Sequence, residues 1–356
     1  GPEGVTRTGP DEAPPPAAET APAAEAPPEA IPAASTPAKL AVDDHSIAVL
    51  PFVNMSGDLE NEYFSDGIAE EILNLLVKLP QLKVASRTSS FVFKGKEVNI
   101  PTLAAELGVA TVLEGSVRQA GGRVRITAQL IDAATDSHLW SETYDRELKD
   151  VFAIQDDIAQ SIVNALKMTL TPKERRSIQY VATSDAKAFD HYLRGRSFMY
   201  SMSKRDYEHA IRMYRQAIEL DDKYALAYAG MADAYSHLYR YADATEENVA
   251  KAVEASKHAI DLDPDSAEAH ASRGLSLFIS EEYEAAGAEF EQAIRLNPNL
   301  WEAHYYSGLA CSSAGEFEQA ITHYQHAIDV NTADYQAPLF MAQAYASVSY
   351  THLRAH

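Results

Sequence analysis

The clearest hydrophobic pattern of the chain lies between residues 110 and 148, where apolar and polar positions alternate. Within Arg123–Ile131 the apolar residues Val124, Ile126, Ala128 and Leu130 alternate with the polar residues Arg123, Arg125, Thr127 and Gln129. A period of two is typical of a β-strand with one buried face. Similar runs at Thr111–Arg118 and His138–Tyr144 flank this segment, and a glycine pair at 121–122 suits a tight turn. We therefore predict a three-stranded antiparallel meander whose apolar face is covered by helices.

Short strand and helix patterns lie on both sides of the meander. Apolar residues recur at helical spacing in Ile68–Leu79, and Ser65 or Asp66 is expected to cap this helix. The neighbouring Glu70 and Glu71 are expected on its solvated face. Because strands alternate with helices before the meander, the sheet is predicted to be mixed and partly parallel. The other predicted elements are a strand at Ser46–Phe52, a strand at Val84–Ser86, a polar turn at Thr88–Ser90, a helix from Asn99 to Gly108 and a helix at Asp150–Leu170.

From about residue 186 onward the pattern becomes helical throughout and contains an internal repeat. Small and aromatic residues recur 34 positions apart, as in Gly274 and Gly308 or Phe290 and Tyr324. This spacing, with small residues where two helices cross, is typical of helix-turn-helix repeats of the tetratricopeptide type. The predicted copies are 188–224, 225–266, 267–300, 301–334 and a partial copy at 335–346.

These patterns divide the chain into four parts. Residues 1–45 are rich in Pro, Ala and Glu, so they are expected to form a disordered linker. An α/β domain with a mixed sheet and an antiparallel meander spans 46–171. An all-α superhelix of tetratricopeptide repeats spans 186–346. Residues 347–356 continue neither the helical pattern nor the repeat, and we interpret them as a non-native tail of the kind left by a cloning junction.

The charge balance limits the expected partners. The formal net charge is -22, which disfavours nucleic acid and anionic membrane surfaces as partners. One cysteine, Cys311, excludes an internal disulfide. No apolar run approaches the roughly 20 residues that span a bilayer, so we expect no membrane contact from this chain itself. Because the chain opens with Gly1 and Pro2 rather than Met, we interpret it as a fragment that lacks its amino-terminal part.

No constellation of residues predicts catalysis, a cofactor or a metal site. The chain lacks the phosphate-loop, dinucleotide-binding, metalloprotease and nucleophile-elbow motifs. His304, His323 and His326 lie within one repeat, but spacing alone does not provide the convergent geometry of a zinc site. We therefore expect no catalytic residue, no cofactor and no metal ligand.

The repeats predict a groove that binds a protein or an extended or helical peptide. In stacked helical repeats the first helix of each repeat lines a concave surface. Some of these positions are equally expected to be core contacts between repeats. The predicted groove residues are Tyr192, Arg196, Met199, Asp233, Leu275, Phe278, Tyr305 and Leu309.

The α/β domain resembles the TolB-like amino-terminal domain of bacterial signalling proteins. The resemblance rests on an ordered series of blocks that covers essentially the whole domain. The blocks are SIAVLPFVNMSGD (46–58), EYFSDGIAEEI (62–72), VASRTSSFVFKGK (84–96), ELGVATVLEGSVRQAGGRVRITAQLIDAATDSHLWSETYDREL (106–148) and FAIQDDIAQSIV (152–163). In that family tetratricopeptide repeats commonly follow, as they do here. The resemblance also implies an upstream class III adenylate/guanylate cyclase or winged-helix DNA-binding domain, joined by one transmembrane helix.

Two hypotheses of function follow. The first is a non-enzymatic interaction or scaffold module, in which the repeats bind a protein or peptide and the TolB-like domain is a structural or sensory partner. The second is the periplasmic regulatory half of a membrane-bound cyclase or winged-helix regulator, with its output domain upstream. The periplasmic side of a bacterial inner membrane is expected only if the upstream membrane helix exists. Without that helix the sequence does not indicate a compartment, and a cytoplasmic location is equally compatible with it.

Overall fold

The computed structural model describes residues 43–178, 182–331 and 335–354. In these ranges a mixed sheet with flanking helices is followed by a series of paired helices, which confirms the predicted fold class. Most of the predicted 1–45 linker lies outside the described residues.

The α/β domain contains six strands, in the spatial order β3-β1-β4-β5-β6 with β2 paired to β4. The strands are β1 (Ser46–Val49), β2 (Val53–Asn54), β3 (Lys83–Val84), β4 (Thr111–Ala120), β5 (Arg123–Asp132) and β6 (Ser137–Glu147). The helices are α1 (Glu62–Val77), α2 (Arg87–Phe91), α3 (Ile100–Leu107), α4 (Val151–Ala165) and α5 (Pro172–Ile178). β1 runs parallel to β3 and β4, whereas β4, β5 and β6 are antiparallel. The predicted partly parallel sheet is therefore confirmed.

The meander follows the alternation in the sequence. Ala120 pairs with Arg123 across the first turn, and the intervening Gly121 and Gly122 both have positive φ, at 57° and 77°. A left-handed backbone of this kind costs glycine little. The apolar face of β5 is fully buried at Val124, Ile126, Ala128 and Leu130. This face packs into the same core as α1 and α4, while α3 covers the opposite side of the sheet with Val112.

The first helix begins earlier than the sequence predicted. α1 starts at Glu62, so Ser65 and Asp66 lie inside the helix and do not cap it. Phe64 explains the extension, because its buried ring continues the apolar face of the helix. Asp66 instead pairs with Lys94, whose Nζ lies 2.5 Å from its carboxylate.

Two further predictions in this domain were wrong. The expected polar turn at Thr88–Ser90 is the helix α2, because the Ser86 side chain accepts a hydrogen bond from the Ser89 amide and caps it. The expected helix at Asp150–Leu170 ends at Ala165, and Lys167 has a φ of 54°, which a continuing helix does not tolerate. The predicted helix from Asn99 to Gly108 is confirmed as α3, which the Asn99 side chain caps and the left-handed Gly108 ends.

The second part of the chain consists of antiparallel helix pairs. Their first helices are α6 (Ala186–Met199), α8 (Ala225–Tyr241), α10 (Ala267–Ile279), α12 (Trp301–Ala314) and α14 (Gln336–Arg354). Their second helices are α7 (Lys204–Leu220), α9 (Glu246–Leu262), α11 (Tyr283–Leu296) and α13 (Phe317–Val330). We call this part the repeat region. α14 runs past residue 346, so the expectation that residues after 346 continue no helix was wrong. No proline or glycine follows Pro338, and the segment therefore has no local signal that stops a helix.

The 34-residue spacing places one small residue against one ring in the third and in the fourth repeat. A Cβ added to Gly274 would lie 2.5 Å from the Phe290 ring, and one added to Gly308 would lie 2.5 Å from the Tyr324 ring. Both rings are fully buried. The predicted crossing of small and aromatic residues is thus confirmed.

This packing predicts opposite effects for two glycines of the third repeat. Gly274→Ala is expected to lower the free energy of unfolding by about 1–3 kcal/mol, because the added methyl group overlaps the Phe290 ring. Gly287→Ala is the matched control, since nothing lies within 4 Å of the position its methyl group would take and alanine favours a helix by about 0.5–1 kcal/mol. Guanidinium denaturation followed by circular dichroism measures both changes. Equal effects of the two substitutions would contradict the predicted crossing.

Candidate interaction surface

The eight residues predicted for the groove lie on α6, α8, α10 and α12. We call the face of the repeat region formed by these first helices the inner face. Four of the residues are buried, with exposed fractions of 7% or less: Tyr192, Leu275, Tyr305 and Leu309. The other four are partly buried: Arg196, Met199, Asp233 and Phe278. Their role in binding a partner stays a prediction.

The inner face is covered at its start by the α/β domain. A Cβ added to Gly67 of α1 would lie 2.8 Å from Leu193 of α6, so the two helices approach closely. Phe152 of α4 meets Phe189 of α6 edge-on, with 4.9 Å between ring centroids. Buried residues of the sheet, its helices and the repeats form one continuous core. Part of the predicted groove is therefore occupied by the same chain.

Arg196 is the centre of the charged contact between the two parts. Its guanidinium pairs with the Glu70 carboxylate and, at 3.1 Å, with Oε1 of Glu71. Glu70 also accepts a hydrogen bond from the Tyr200 hydroxyl and lies 3.1 Å from Nε of Arg87. The Glu70 side chain is only 5% exposed. The expectation that Glu70 and Glu71 lie on a solvated face was wrong, because α6 covers that face and supplies the opposite charge.

Arg87 completes this contact, which sequence reasoning missed. Its guanidinium carbon lies 3.5 Å from the centre of the Tyr200 ring and 4.1 Å from the centre of the Phe91 ring. A cation over an aromatic face is attracted by the ring quadrupole. Arg87 belongs to a short Ser/Thr segment without periodicity, and its partner Tyr200 is distant in the chain, so no local pattern predicted the pair.

A second contact joins the α/β domain to the far end of the repeat region. The Ser86 hydroxyl donates a hydrogen bond of 2.7 Å to Oδ1 of Asn331, which follows α13 directly. The Ser89 hydroxyl lies 3.5 Å from the same oxygen. Asn331 is only 4% exposed. The domain is thus held at the first repeat and again after the fourth.

Acidic groups face Arg196 across the inner face. Burial raises the pKa of Asp233 to about 7; the nearby Glu302 raises it further, whereas a hydrogen bond from Ser272 and the charge of Arg196 lower it. Burial likewise raises the pKa of Glu71 and of Glu302, and Arg196 opposes the shift in both. Desolvation disfavours the charged form of each carboxyl group. Burial therefore favours the neutral form of these three carboxyl groups.

The middle of the inner face is aromatic. Nε2 of His237 lies 2.9 Å from the Tyr306 hydroxyl, and the Arg240 guanidinium lies 5.6 Å from the centre of the Tyr306 ring and 5.7 Å from that of Phe278. Burial, assisted by the charge of Arg240, lowers the pKa of His237 to about 4. His237 is therefore neutral at physiological pH. This surface combines rings with a cation, a composition common where proteins bind other proteins.

A cleft of about 530 Å³ lies between the α/β domain and the repeat region. The domain contributes residues of β3, α2 and α3, and the repeats contribute residues of α11, α12 and α13. A smaller cavity of about 60 Å³ lies beside Glu71 and Arg196.

Metal-binding clusters and membrane-spanning helices are both absent from the described part of the chain. Within residues 43–178, 182–331 and 335–354, no three His, Cys, Asp or Glu side chains are grouped so that they could hold a metal ion. None of the helices in these ranges has the length and apolarity needed to cross a membrane.

Comparison with known families matches both parts of the chain. Residues 43–161 match the second domain of HilA/YgeH-like transcriptional regulators. Residues 199–224, 245–300 and 280–338 match tetratricopeptide repeats. The repeat region is thus built of tetratricopeptide repeats, as its spacing predicted. The TolB-like resemblance of the α/β domain is not among these matches, and none of the matched family descriptions names an enzyme.

A longer protein and several solved structures are similar to the chain. A Rhizobium meliloti (strain 1021) protein described as "putative adenylate cyclase 3" is 42% identical over 234 residues, which is 65% of this chain and 40% of that protein. The chain thus spans less than half the length of this relative. The crystal structure of MamA is 27% identical with a TM-score of 0.34, covering 41% of this chain and 81% of its own. A tetratricopeptide protein of Thermus thermophilus is 21% identical with a TM-score of 0.39, covering 56% and 95%.

Proposed function

We propose that the chain is a non-enzymatic interaction module of a signalling protein, whose tetratricopeptide repeats bind a protein or peptide partner. In this proposal the α/β domain, which resembles TolB-like domains, is the structural or sensory partner of the repeats. The observation that carries the proposal is the double attachment of the domain, through Glu70 to Arg196 and through Ser86 to Asn331. A change in the domain at Glu70 acts directly on α6 of the inner face, and a change at Ser86 acts on the end of α13.

The aromatic part of the inner face is the proposed contact for the partner. Phe278 is partly buried, packs 5.6 Å from the Tyr283 ring and lies beside Arg240. Rings and arginine are enriched among residues that dominate binding energy at interfaces. The fully buried Tyr305 is instead expected to stabilise the repeats themselves.

Selection from a phage-displayed random peptide library on the immobilised chain tests this proposal. Enriched peptides are expected to bind at least about tenfold more weakly to Phe278→Ala, because a central aromatic contact is worth about 1–3 kcal/mol. Leu262→Ala is the control, since Leu262 ends α9, a second helix, and is 39% exposed. If the enriched peptides bind the wild type, Phe278→Ala and Leu262→Ala equally well, the binding surface lies elsewhere on the chain.

A second candidate function is the regulatory half of a membrane-bound adenylate/guanylate cyclase. It is supported by the 42% identity to the Rhizobium meliloti protein, of which the chain covers 40%. In this proposal the chain lies on the periplasmic side of the inner membrane, beyond an upstream membrane helix. The match to HilA/YgeH-like transcriptional regulators supports a variant of this proposal, in which the upstream output domain is a winged-helix DNA-binding domain.

The complete coding sequence tests the second candidate. A cyclase domain encoded upstream, with cyclic nucleotide synthesis by the full-length protein that changes in Arg196→Met, is the expected result. A full-length protein without an output domain would leave the interaction module as the function of the chain.

A further inference from the structure

Two equivalent histidines of the third and fourth repeats are held in the same way. His270 and His304 lie 34 residues apart at the same position of α10 and α12. In each, Nε2 lies 2.9 Å from a backbone carbonyl, that of Pro264 or Pro298. A carbonyl oxygen only accepts, so Nε2 carries the proton and donates it in both repeats. Nδ1 is then the atom that distinguishes the two.

The two repeats differ in what faces Nδ1. Nδ1 of His270 lies 2.6 Å from a carboxylate oxygen of Glu289 on α11. The position 34 residues after Glu289 is His323 on α13, so the fourth repeat has an imidazole where the third has a carboxylate. Within the described part of the chain, Nδ1 of His304 and Nδ1 of His323 are buried without a hydrogen-bond partner. Buried polar atoms in native proteins usually have a partner.

The fourth repeat therefore gathers three imidazoles, of which two line the cleft. The ring of His304, only 6% exposed, lies 5.4 Å from the ring of His326 and 6.3 Å from that of His323. His304 and the exposed His326 line the cleft from the repeat side, and the exposed Lys83 lines it from the side of β3. The hydroxyl-bearing Ser89 is on the same wall as Lys83. A volume of about 530 Å³ falls within the range of small-molecule sites.

Burial and charge act in opposite directions on the imidazoles of the fourth repeat. Burial lowers the pKa of His304 and of His323, and the neighbouring histidine rings lower both further. The opposing charges are Glu291 of α11, which acts on His323, and Asp329, which lines the cleft and already accepts a hydrogen bond of 2.9 Å from Gln325. Protonated imidazoles would repel one another, and an anion beside them would offset that repulsion.

We propose that this cleft binds a small anion with a carboxylate or phosphate group, which supplies to the imidazoles of His304 and His326 the negative charge that Glu289 supplies to His270. The imidazoles bind the anion when they are protonated, and Lys83 supplies a permanent positive charge from the α/β domain. Because the ligand contacts both parts of the chain, its binding strengthens their association near Ser86 and Asn331. The proposal concerns a different surface from the aromatic inner face and does not depend on the partner that binds there.

Affinity for the anion is expected to rise as the pH falls. The imidazoles bind fewer protons in the free protein than in the complex, so binding takes up protons and is favoured by acid. Calorimetric titration with inorganic phosphate and, separately, with succinate measures the dissociation constant at pH 6 and pH 8, at constant ionic strength set with chloride. Phosphate, succinate or both are expected to bind at least about tenfold more tightly at pH 6, a difference typical of imidazole titration. The two probes distinguish a phosphate ligand from a carboxylate ligand.

Three variants of the full chain make the test specific. His323→Glu restores the arrangement of the third repeat, so it is expected to fold and to lose anion binding. His326→Gln, at an exposed position that lines the cleft, is expected to weaken binding at least about fivefold. His258→Gln, on the exposed side of α9, is the control and is expected to bind like the wild type. Absence of binding to the wild type at pH 6, or equal binding by His323→Glu and the wild type, would overturn the proposal.

Discussion

Replacing Arg196 by methionine is expected to lower the free energy of unfolding by about 3–5 kcal/mol, because it leaves buried carboxylates without their countercharge. Arg196 pairs with Glu70 and Glu71 at once, and Glu70 is only 5% exposed. Methionine keeps much of the volume of arginine. The loss of unfolding free energy therefore comes from the missing charge rather than from a cavity. Urea denaturation at neutral pH, followed by circular dichroism and by tryptophan fluorescence, measures the change.

Arg194→Met is the matched control for this substitution. Arg194 lies on the same helix, is 46% exposed, pairs with Asp190 four residues earlier and also lies 4.7 Å from the centre of the Tyr63 ring of α1. Exposed pairs of this kind contribute about 0.2–1 kcal/mol, so a loss of no more than about 1 kcal/mol is expected. Arg196→Lys should fall between the two, because an ammonium group does not bridge two carboxylates as a guanidinium does. If Arg196→Met and Arg194→Met cost the same, the contact between α1 and α6 does not depend on this ion pair.

Replacing Asp233 by asparagine is expected to stabilise the protein at pH 8 by an amount on the order of 2–4 kcal/mol, from about 1.4 kcal/mol for each unit of pKa shift. Asp233 has its pKa raised to about 7 from the ordinary 3.8, so the folded chain holds this proton more tightly than the unfolded chain. The wild type therefore loses stability as the pH rises from about 4 to about 7, and the loss is complete above that range. Asparagine never acquires the charge. The difference in stability between Asp233→Asn and the wild type therefore disappears at about pH 4.

Asp222→Asn is the control for the pH experiment. Asp222 lies in the turn before α8 and is exposed, so its removal should leave the pH dependence of the wild type unchanged. Thermal unfolding of the wild type and both variants between pH 4 and pH 8 measures the effect. Parallel curves for the wild type and Asp233→Asn would show that Asp233 ionises in the folded protein as it does in water.

Arg196→Met and Asp233→Asn both change residues of the inner face, the surface on which the repeats are proposed to bind a partner. Arg196 and Asp233 were both predicted to line the groove, and both lie where the α/β domain and the acidic cluster meet. A partner on this part of the inner face has to displace the domain, whereas one that binds near Phe278 does not. Arg196→Met is therefore expected to leave the selected peptides bound, while Phe278→Ala weakens them.

Several elements were predictable because their signals are local. The alternation of Arg123–Ile131 determines which side chains of β5 are buried, and the Gly-Gly pair supplies the turn before it. The pairing of Gly274 with Phe290 is encoded within a single repeat and recurs in the next. Boundaries were less predictable, as in α1, where Phe64 extends the apolar face beyond the pattern that began at Ile68.

The sequence by itself determined the two architectures, since strand alternation and repeat spacing are properties of neighbouring residues. Only the tertiary structure showed that the α/β domain covers part of the inner face. Glu70 and Arg196 are 126 residues apart, and a glutamate on a polar helix face has the same local pattern whether water or an arginine faces it. The eight groove positions therefore followed from repeat register, whereas their burial and their charge depend on a surface brought from elsewhere in the chain.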